Sequence, residues 1–252
     1  RRAIVAASSA GLGFACARSL ALEGVHVVLN GRDDDRLEAA AQALRDQSTV
    51  TVSTVVGDVA DPATRSGLLD ACPEPDILVT NNAGPPPGRF SAWEREDWLA
   101  AVDANMVAPL LLIRDVLDGM VERRFGRIVN ITSAMVKAPR SPMGLSSAAR
   151  TGLTSVVKGL SVDVAASNVT VNNLLPERID TGRQRQMADL AVAFKGITLD
   201  EAYAEIAATI AAGRLGRPEE FGDTCAFLCS AQAGYLTGQS IQVDGGTYGG
   251  LW

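Results

Sequence analysis

Short runs of aliphatic and β-branched residues alternate with longer helical patterns along almost the whole chain. This alternation predicts βαβ units, a parallel sheet and therefore an α/β fold with about seven parallel strands. The predicted strands and helices are, in order, 3–7, 11–23, 27–30, 33–46, 50–56, 62–71, 77–81, 94–121, 127–131, 146–166, 169–175 and 241–243. The absence of a linker or repeat indicates a single doubly wound domain over residues 1–252.

Composition narrows the possible partners. The chain has 252 residues and a net charge of −6, and its 23 basic residues are dispersed, so we expect neither nucleic-acid nor membrane binding. The four cysteines and the single histidine lack metal-ligand spacing, so we expect no metal. No apolar stretch approaches the ~20 residues of a membrane span, and nothing resembles a signal peptide. A cytoplasmic protein is expected.

One connection, residues 177–213, is long and mixed in character. Met187, Leu190, Phe194 and Ile197 lie there among charged residues. The pattern is compatible with an apolar lid over a pocket, and equally with an ordinary pair of surface helices.

A tight turn of small residues, 7–13, follows the first predicted strand and leads directly into a helix. Backbone N–H groups at such a helix start can face a pyrophosphate, and Gly11 and Gly13 allow the backbone to approach it closely. The position of this turn predicts a Rossmann-type dinucleotide site that includes Ser8, Ser9 and Leu12.

The end of the second predicted strand bears on the choice of cofactor. It reads Asn30-Gly31-Arg32, without a carboxylate to hold two ribose hydroxyls. Arg32 can instead pair with a 2′-phosphate, which favours NADP over NAD. The alternative is that Arg32 is a solvated loop residue beside three aspartates.

Several further motifs occur in order along the chain. They are Asp58 after the third strand, Asn81-Asn82-Ala83-Gly84, Asn105, Ser133, Val171-Asn172 before Pro176, 236–239 and 243–246. Together they resemble the short-chain dehydrogenase/reductase family over nearly the whole length, and most closely its 3-oxoacyl-acyl-carrier-protein reductase-like members.

The resemblance implies roles for individual residues. Asp58 and the adjacent Val59 would contact the adenine, and Asn105 would hold a water in a proton relay. A larger set would line the nicotinamide end of the cofactor: Asn82, Ala83, Gly84, Pro176, Ile179 and Thr181. The family commonly forms tetramers through its long helices. Surplus apolar positions in 94–121 and 146–166 likewise predict a homodimer or homotetramer.

The chain departs from the family pattern in its glycine-rich turn. Ala6 and Ala7 stand where the family has Thr and Gly. The extra methyl group at Ala7 is tolerated only at a negative φ; otherwise the turn shifts. Cofactor binding is expected with either outcome.

The larger departure is catalytic. In this family a serine and a tyrosine hold the substrate oxygen, the tyrosine passes the proton, and a lysine lowers the pKa of the tyrosine and binds ribose. With Ser133 as the family serine, the tyrosine position is Ser146 and the lysine position is Arg150. The three tyrosines, Tyr203, Tyr235 and Tyr248, all lie far downstream.

These replacements change the expected chemistry. Ser146 is a poor general acid near neutral pH, whereas Arg150 keeps a positive charge and can still bind ribose hydroxyls. Lys137 is a candidate substitute proton donor, or an exposed loop lysine. Glu177, where the family has Gly, could pair with Arg178, Arg183 or a substrate cation, or point outward.

Three functions are compatible with the sequence. The first is an NADP-dependent oxidoreductase that acts on a carbonyl or a secondary alcohol through a modified site. The second is a nucleotide-binding subunit or sensor with little activity, which would bind nucleotide without turnover. The third is a lyase or hydratase on the same scaffold, which would convert substrate without nicotinamide. The substrate is not predicted.

Overall fold

A computed structural model describes residues 1–251 and contains one parallel sheet of seven strands in the order β3-β2-β1-β4-β5-β6-β7. The strands are β1 (Arg2–Val5), β2 (His26–Gly31), β3 (Val52–Val56), β4 (Ile77–Thr80), β5 (Gly126–Ile131), β6 (Val169–Pro176) and β7 (Ser240–Val243). The prediction of an α/β fold with about seven parallel strands is confirmed.

Within residues 1–251, nine α-helices connect and flank the strands. They are α1 (Gly11–Leu22), α2 (Asp34–Arg45), α3 (Pro62–Ala71), α4 (Arg95–Val102), α5 (Ala108–Glu122), α6 (Gly144–Val164), α7 (Gly182–Lys195), α8 (Leu199–Ala208) and α9 (Pro218–Cys229). None of these helices in residues 1–251 is both long and apolar enough to cross a bilayer.

The strand order reverses between β1 and β4. After β1 the chain adds β2 and β3 on one side, then crosses back to add β4 on the other. Such a switch point opens a crevice at the carboxyl ends of the strands, where ligands bind in doubly wound folds. The turn after β1 and the loop after β4 meet at this crevice.

Both faces of the sheet are buried. Alternate β1 residues point to opposite sides, so Val5 packs with α1, α2 and α9, whereas Ile4 packs with α3, α5 and α6. Large apolar side chains such as Phe221 and Leu112 close the two layers. A parallel sheet covered on both faces explains why its strands read as continuous apolar runs.

The predicted helix over 94–121 is two helices separated by one π-helical turn, Asp103–Val107. Pro109 lacks the N–H that an α-helix would direct to the carbonyl of residue 105, so the regular ladder is interrupted there. Asn105 lies buried inside the turn, and its Nδ2 donates to Ala101 O at 3.4 Å. π turns are frequent at functional sites.

The segment 177–213 forms α7 and α8. Leu190 and Phe194 on α7 are exposed, and Ala188 is buried. The lid function of this segment stays a prediction.

Candidate functional site

The turn after β1 keeps the shape that a glycine would give it. Ala7 has φ 44°, in the left-handed region, so the expectation of a negative φ is wrong. Two asparagines hold Ala7 in place: its N–H donates to Asn30 Oδ1 at 3.1 Å, and its carbonyl accepts from Asn81 Nδ2 at 3.0 Å. These bonds offset the steric cost of the methyl group.

The neighbouring residues divide into those that shape the turn and those that face the crevice. Ser8 is fully buried; its hydroxyl donates to Val5 O at 2.7 Å and accepts from Asn30 N at 3.1 Å. Ser8 therefore shapes the turn, whereas Ser9 lines the crevice. Gly13 is required, because a Cβ there would lie 2.4 Å from Ala7 O.

A groove of about 380 Å³ runs along this edge of the sheet. Arg32 and Asp58 lie on opposite sides of its far end and form an ion pair at 3.7 Å. Arg36 and Gln186 also line it, and neither was predicted from the sequence. The position of Arg36, one helical turn after Arg32 at the start of α2, is the signal that could have identified it. The other lining residues are Ala7, Ser9, Ala10, Asn30, Gly31, Gly57, Val59, Asn81, Asn82 and Ala83.

This groove fits a dinucleotide. The N-cap of α1, Ala10, makes no side-chain capping bond, so backbone N–H groups at the helix start remain available to an anion. Gly11 has φ 61°, and a Cβ added there would contact only Thr181. A pyrophosphate can approach this point closely, with the cationic side chains of Arg32 and Arg36 at the other end.

The remaining predicted cofactor residues occupy varied positions. Leu12 packs against the core, and Ile179 is buried with its side chain against Gly216. Pro176 ends β6. Thr181 is the N-cap of α7 and lines a second cavity of about 250 Å³ beside Gly11.

Ser146 and Arg150, which the sequence comparison predicts at the family's tyrosine and lysine positions, are in direct contact. Ser146 and Arg150 lie one turn apart on α6, both are buried, and Arg150 Nη1 donates a hydrogen bond to Ser146 Oγ. Arg150 Nη2 reaches Asn82 O at 3.4 Å. A Cβ at Gly84 would lie 3.2 Å from Arg150 Nη1, so the loop after β4 covers the guanidinium closely.

Arg150 is an unusual arginine. Burial lowers the pKa of its guanidinium to about 10, and the nearby positive charge of Arg183 adds to this effect. Within residues 1–251 no carboxylate forms an ion pair with Arg150. The result is a buried cation with an acidity close to that of an ordinary phenol.

Ser133 and Asn105 lie on elements that pack against α6, the helix that carries Ser146 and Arg150. Ser133 follows β5, and its oxygen accepts from Met135 N at 3.2 Å, which leaves the hydroxyl proton available to donate. The π turn that carries Asn105 packs against α6, where Met106 contacts Gly152. Asn82 Nδ2 also donates to Ala104 O at 3.0 Å and so links the loop after β4 to that turn.

Lys137 is half-buried and directed toward β7. Its Nζ donates to Gln242 Oε1 at 3.3 Å and lies 5.8 Å from the centre of the Tyr248 ring. Within the described residues Lys137 makes no hydrogen bond to Ser133, Ser146 or Arg150. The geometry therefore gives no support to a proton-donor role for Lys137.

An aromatic cluster lies between the loop after β4 and the start of α6. Trp93 and Trp98 meet edge-on with ring centres 5.5 Å apart, and Phe90 lies 6.4 Å from each. Trp93 covers Gly144, at the start of α6, so closely that a Cβ there would lie 2.6 Å from its ring. The cluster forms an apolar wall at the start of α6, the helix that carries Ser146.

Glu177 does not point outward. Its side chain is only 10% exposed and forms ion pairs with Arg140 at 3.4 Å and Arg178 at 3.2 Å. The pairing with Arg178 was one of the alternatives that the sequence allowed, whereas the pairing with Arg140 was not foreseen.

Comparisons with known proteins place this geometry in a family. A model of the enoyl-(acyl carrier protein) reductase family matches residues 6–248. The NADPH-dependent reductase BacG of Bacillus subtilis is 33% identical, over 98% of this chain and 97% of its own. The 3-oxoacyl-[acyl-carrier-protein] reductase FabG of Rickettsia felis is 31% identical, over 98% of this chain and 96% of its own. The chain belongs to the short-chain dehydrogenase/reductase family.

Solved structures of the same family agree with the fold. L-sorbose reductase from Gluconobacter frateurii, complexed with NADPH and L-sorbose, superposes with a TM-score of 0.94 at 30% identity, over 100% of this chain and 97% of its own. The resemblance to 3-oxoacyl reductase-like members of the short-chain dehydrogenase/reductase family is thus confirmed at the level of family and fold.

Proposed function

We propose that this protein is an NADPH-dependent reductase of a carbonyl compound in which Ser133, Ser146 and Arg150 perform the work of the family's serine, tyrosine and lysine. One observation carries the proposal: Arg150 donates to Ser146 and also reaches the carbonyl of Asn82, a residue that lines the groove that fits a dinucleotide. The names of two similar proteins, BacG and L-sorbose reductase, support NADPH as the cofactor.

In this proposal the groove residues hold the cofactor. The N-terminus of α1 binds the pyrophosphate, Arg32 and Arg36 bind the 2′-phosphate, and Asp58 and Val59 lie at the adenine end. Arg150 donates to the ribose hydroxyls beside Asn82 and Gly84. When bound, the dihydronicotinamide supplies a hydride to the carbonyl carbon.

Ser133 and Ser146 orient and polarise the substrate. Each serine oxygen already accepts a hydrogen bond, from Met135 N and from Arg150 Nη1 respectively, so each hydroxyl proton is free to donate. Two donors aimed at one carbonyl oxygen stabilise the negative charge that develops there during reduction. The buried cation of Arg150 adds to that stabilisation, because its charge is not offset by a neighbouring carboxylate.

Ser146 and Arg150 supply the proton that the reduced carbonyl oxygen needs. As the carbonyl oxygen becomes an alkoxide, the Ser146 hydroxyl proton moves to it, and Arg150 Nη1 returns a proton to Ser146 Oγ. The neutral guanidine then takes a proton from solvent. A serine alone is too weak an acid near pH 7, but a guanidinium with a pKa of about 10 is as acidic as an ordinary phenol.

Nucleotide titration followed by turnover tests the proposal. NADPH and NADH are titrated calorimetrically into the purified protein, and NADPH absorbance at 340 nm is then followed with ketones, oxo acids and β-oxoacyl thioesters. We expect preferential binding of NADPH and oxidation that depends on substrate. Nucleotide binding without oxidation of NADPH by any of these substrates would indicate a sensor or a partner subunit instead.

Serine variants separate the catalytic role from folding. Ser146→Ala is expected to slow reduction about 100-fold, because it removes the proton donor. Ser155→Ala, an exposed serine on the same helix, serves as the control and is expected to leave the rate unchanged. Equal rates for Ser146→Ala and the wild type would contradict the assignment.

A further inference from the structure

Positive charge is concentrated at the substrate side of the crevice. The whole chain is acidic, yet segments 81–93 and 132–150 contain no Asp or Glu. Segment 176–185 adds two acidic residues, Glu177 and Asp180, against three arginines. The basic residues of the three segments are Arg89, Lys137, Arg140, Arg150, Arg178, Arg183 and Arg185. These loops follow β4, β5 and β6, so their charges meet at one edge of the sheet.

Two of these arginines share the carboxylate of Glu177, so this cluster has one positive charge in excess. Arg140, from the loop after β5, and Arg178, from the end of β6, share its single buried carboxylate. Arg178 Nε is buried and lies 3.2 Å from Glu177 Oε1, but this ion pair lacks the geometry of a hydrogen bond, and Nε makes no other hydrogen bond within residues 1–251. Two guanidinium groups beside one carboxylate carry a net charge of about +1, with donors that remain unused.

Arg183 adds a second cation without a carboxylate. Its Nη2 donates a hydrogen bond to Pro85 O at 3.3 Å, in the loop after β4. Its charge is close enough to lower the pKa of Arg150. A molecule that brought an anionic group here would relieve this repulsion.

The backbone at Arg178 supports a ligand-binding role. Arg178 has φ 56°, in the left-handed region that a non-glycine side chain rarely adopts. Strained residues of this kind concentrate at ligand-binding sites, where the surrounding structure holds them. Here Gly216 N donates to Arg178 O at 3.0 Å and fixes the strained residue.

We propose that the site binds carbonyl compounds that carry an anionic group, a carboxylate or a phosphate, through Arg140 and Arg178. The inference rests on the proposed function and names its substrate class. Arg140 and Arg178 follow β5 and β6, whereas the groove assigned to the cofactor is lined by the loops after β1 to β4 and by α7. The fork of a guanidinium matches either anion, and the aromatic wall of Trp93 contacts the apolar part of the molecule.

A matched pair of probes tests the charge directly. Benzoylformate and its methyl ester share a ring and a ketone and differ in the carboxylate. Each is titrated calorimetrically into the protein saturated with NADP⁺, which has no hydride to transfer, and into the protein without nucleotide. We expect the acid to bind about tenfold more tightly than the ester. Dihydroxyacetone phosphate, titrated in the same way, distinguishes a phosphate from a carboxylate.

Three variants then locate the anion site. Arg140→Gln leaves Arg178 and Glu177 as a neutral pair and is expected to remove the preference for the acid, with the affinity for the ester unchanged. Glu177→Gln frees both guanidinium groups and is expected to increase that preference. Arg114→Gln, an exposed arginine on α5, is the control and leaves both affinities unchanged.

The outcomes separate this inference from the function on which it rests. Equal affinities for acid and ester, no binding of either anion, or a preference that survives Arg140→Gln would overturn the anion site. Binding of the acid with no oxidation of NADPH would overturn the reductase function and leave the anion site standing. Turnover of neutral ketones alone would support the function and overturn the inference.

Discussion

The Nη1 group of Arg150 donates a hydrogen bond to Ser146 Oγ, one turn earlier on the same buried helix. The four-residue spacing of Ser146 and Arg150 is the spacing that the resemblance implies for the family's tyrosine and lysine, which is why we propose that the pair takes over their work. In the proposed mechanism, Arg150 provides the positive charge at a lowered pKa, and Ser146 provides the hydroxyl that donates to the substrate. The two residues therefore act as one unit in our account.

The pH dependence of reduction follows from the pKa of Arg150. The protonated guanidinium is the donor form, and its fraction falls as the pH rises through about 10. We expect the rate of NADPH oxidation under saturating substrate to be level below about pH 9 and to fall about tenfold per pH unit above pH 10. Circular dichroism at each pH checks that the protein stays folded. A rate that is constant up to pH 11 would rule out Arg150 as the donor.

Ala7→Gly is expected to stabilise the protein. Alanine at φ 44° carries a steric penalty of about 1–2 kcal/mol that glycine avoids, and glycine loses part of this gain to the entropy of the unfolded chain. We expect the free energy of unfolding in urea to rise by about 0.5–1 kcal/mol. Ala10→Gly is the control, because Ala10 is extended at φ −167° and carries no such strain. An equal loss of stability in both variants would contradict this explanation.

The fold could be predicted from the sequence because its signals are local. Apolar runs and small-residue turns indicate β1 to β7, and these patterns can be identified without knowledge of the tertiary contacts. The π turn at Asn105 was missed, since it depends on how Pro109 disrupts a helix packed against α6. Ser8 was assigned to the cofactor because a sequence cannot distinguish a buried serine from an exposed one. The Arg140–Glu177 pair joins two distant loops, and no local pattern indicates it.

Arg32→Gln tests the choice of cofactor. Arg32 is exposed and only weakly tied to Asp58, so its guanidinium can turn to a 2′-phosphate. We expect the affinity for NADPH, measured by calorimetry, to fall about tenfold, and the affinity for NADH to stay the same. Arg114→Gln again serves as the control. A parallel fall for both nucleotides would assign Arg32 to a part of the cofactor that the two share.

The apolar residues that remain exposed on α4 to α6 predict self-association. Leu99, Val107, Val156 and Val162 are exposed there, although their neighbours Leu153 and Val157 are buried in the core. We propose that these side chains pack against a second copy of the chain as a homodimer or homotetramer. Val156→Asp is expected to shift the sedimentation profile toward the monomer. A wild-type protein that sediments as a monomer would contradict the proposal.

A double-mutant cycle on Ser146 and Arg150 tests the central claim most directly. The rate of NADPH oxidation is measured for the wild type, Ser146→Ala, Arg150→Gln and the double variant at saturating nucleotide and substrate. If the two residues form one proton path, the rate of NADPH oxidation falls about 100-fold in each single variant. The rate of the double variant is then little lower than that of either single variant. A double variant whose rate falls by the product of the two single decreases would show that the two residues do not work as a unit. A single variant that keeps the wild-type rate would show the same.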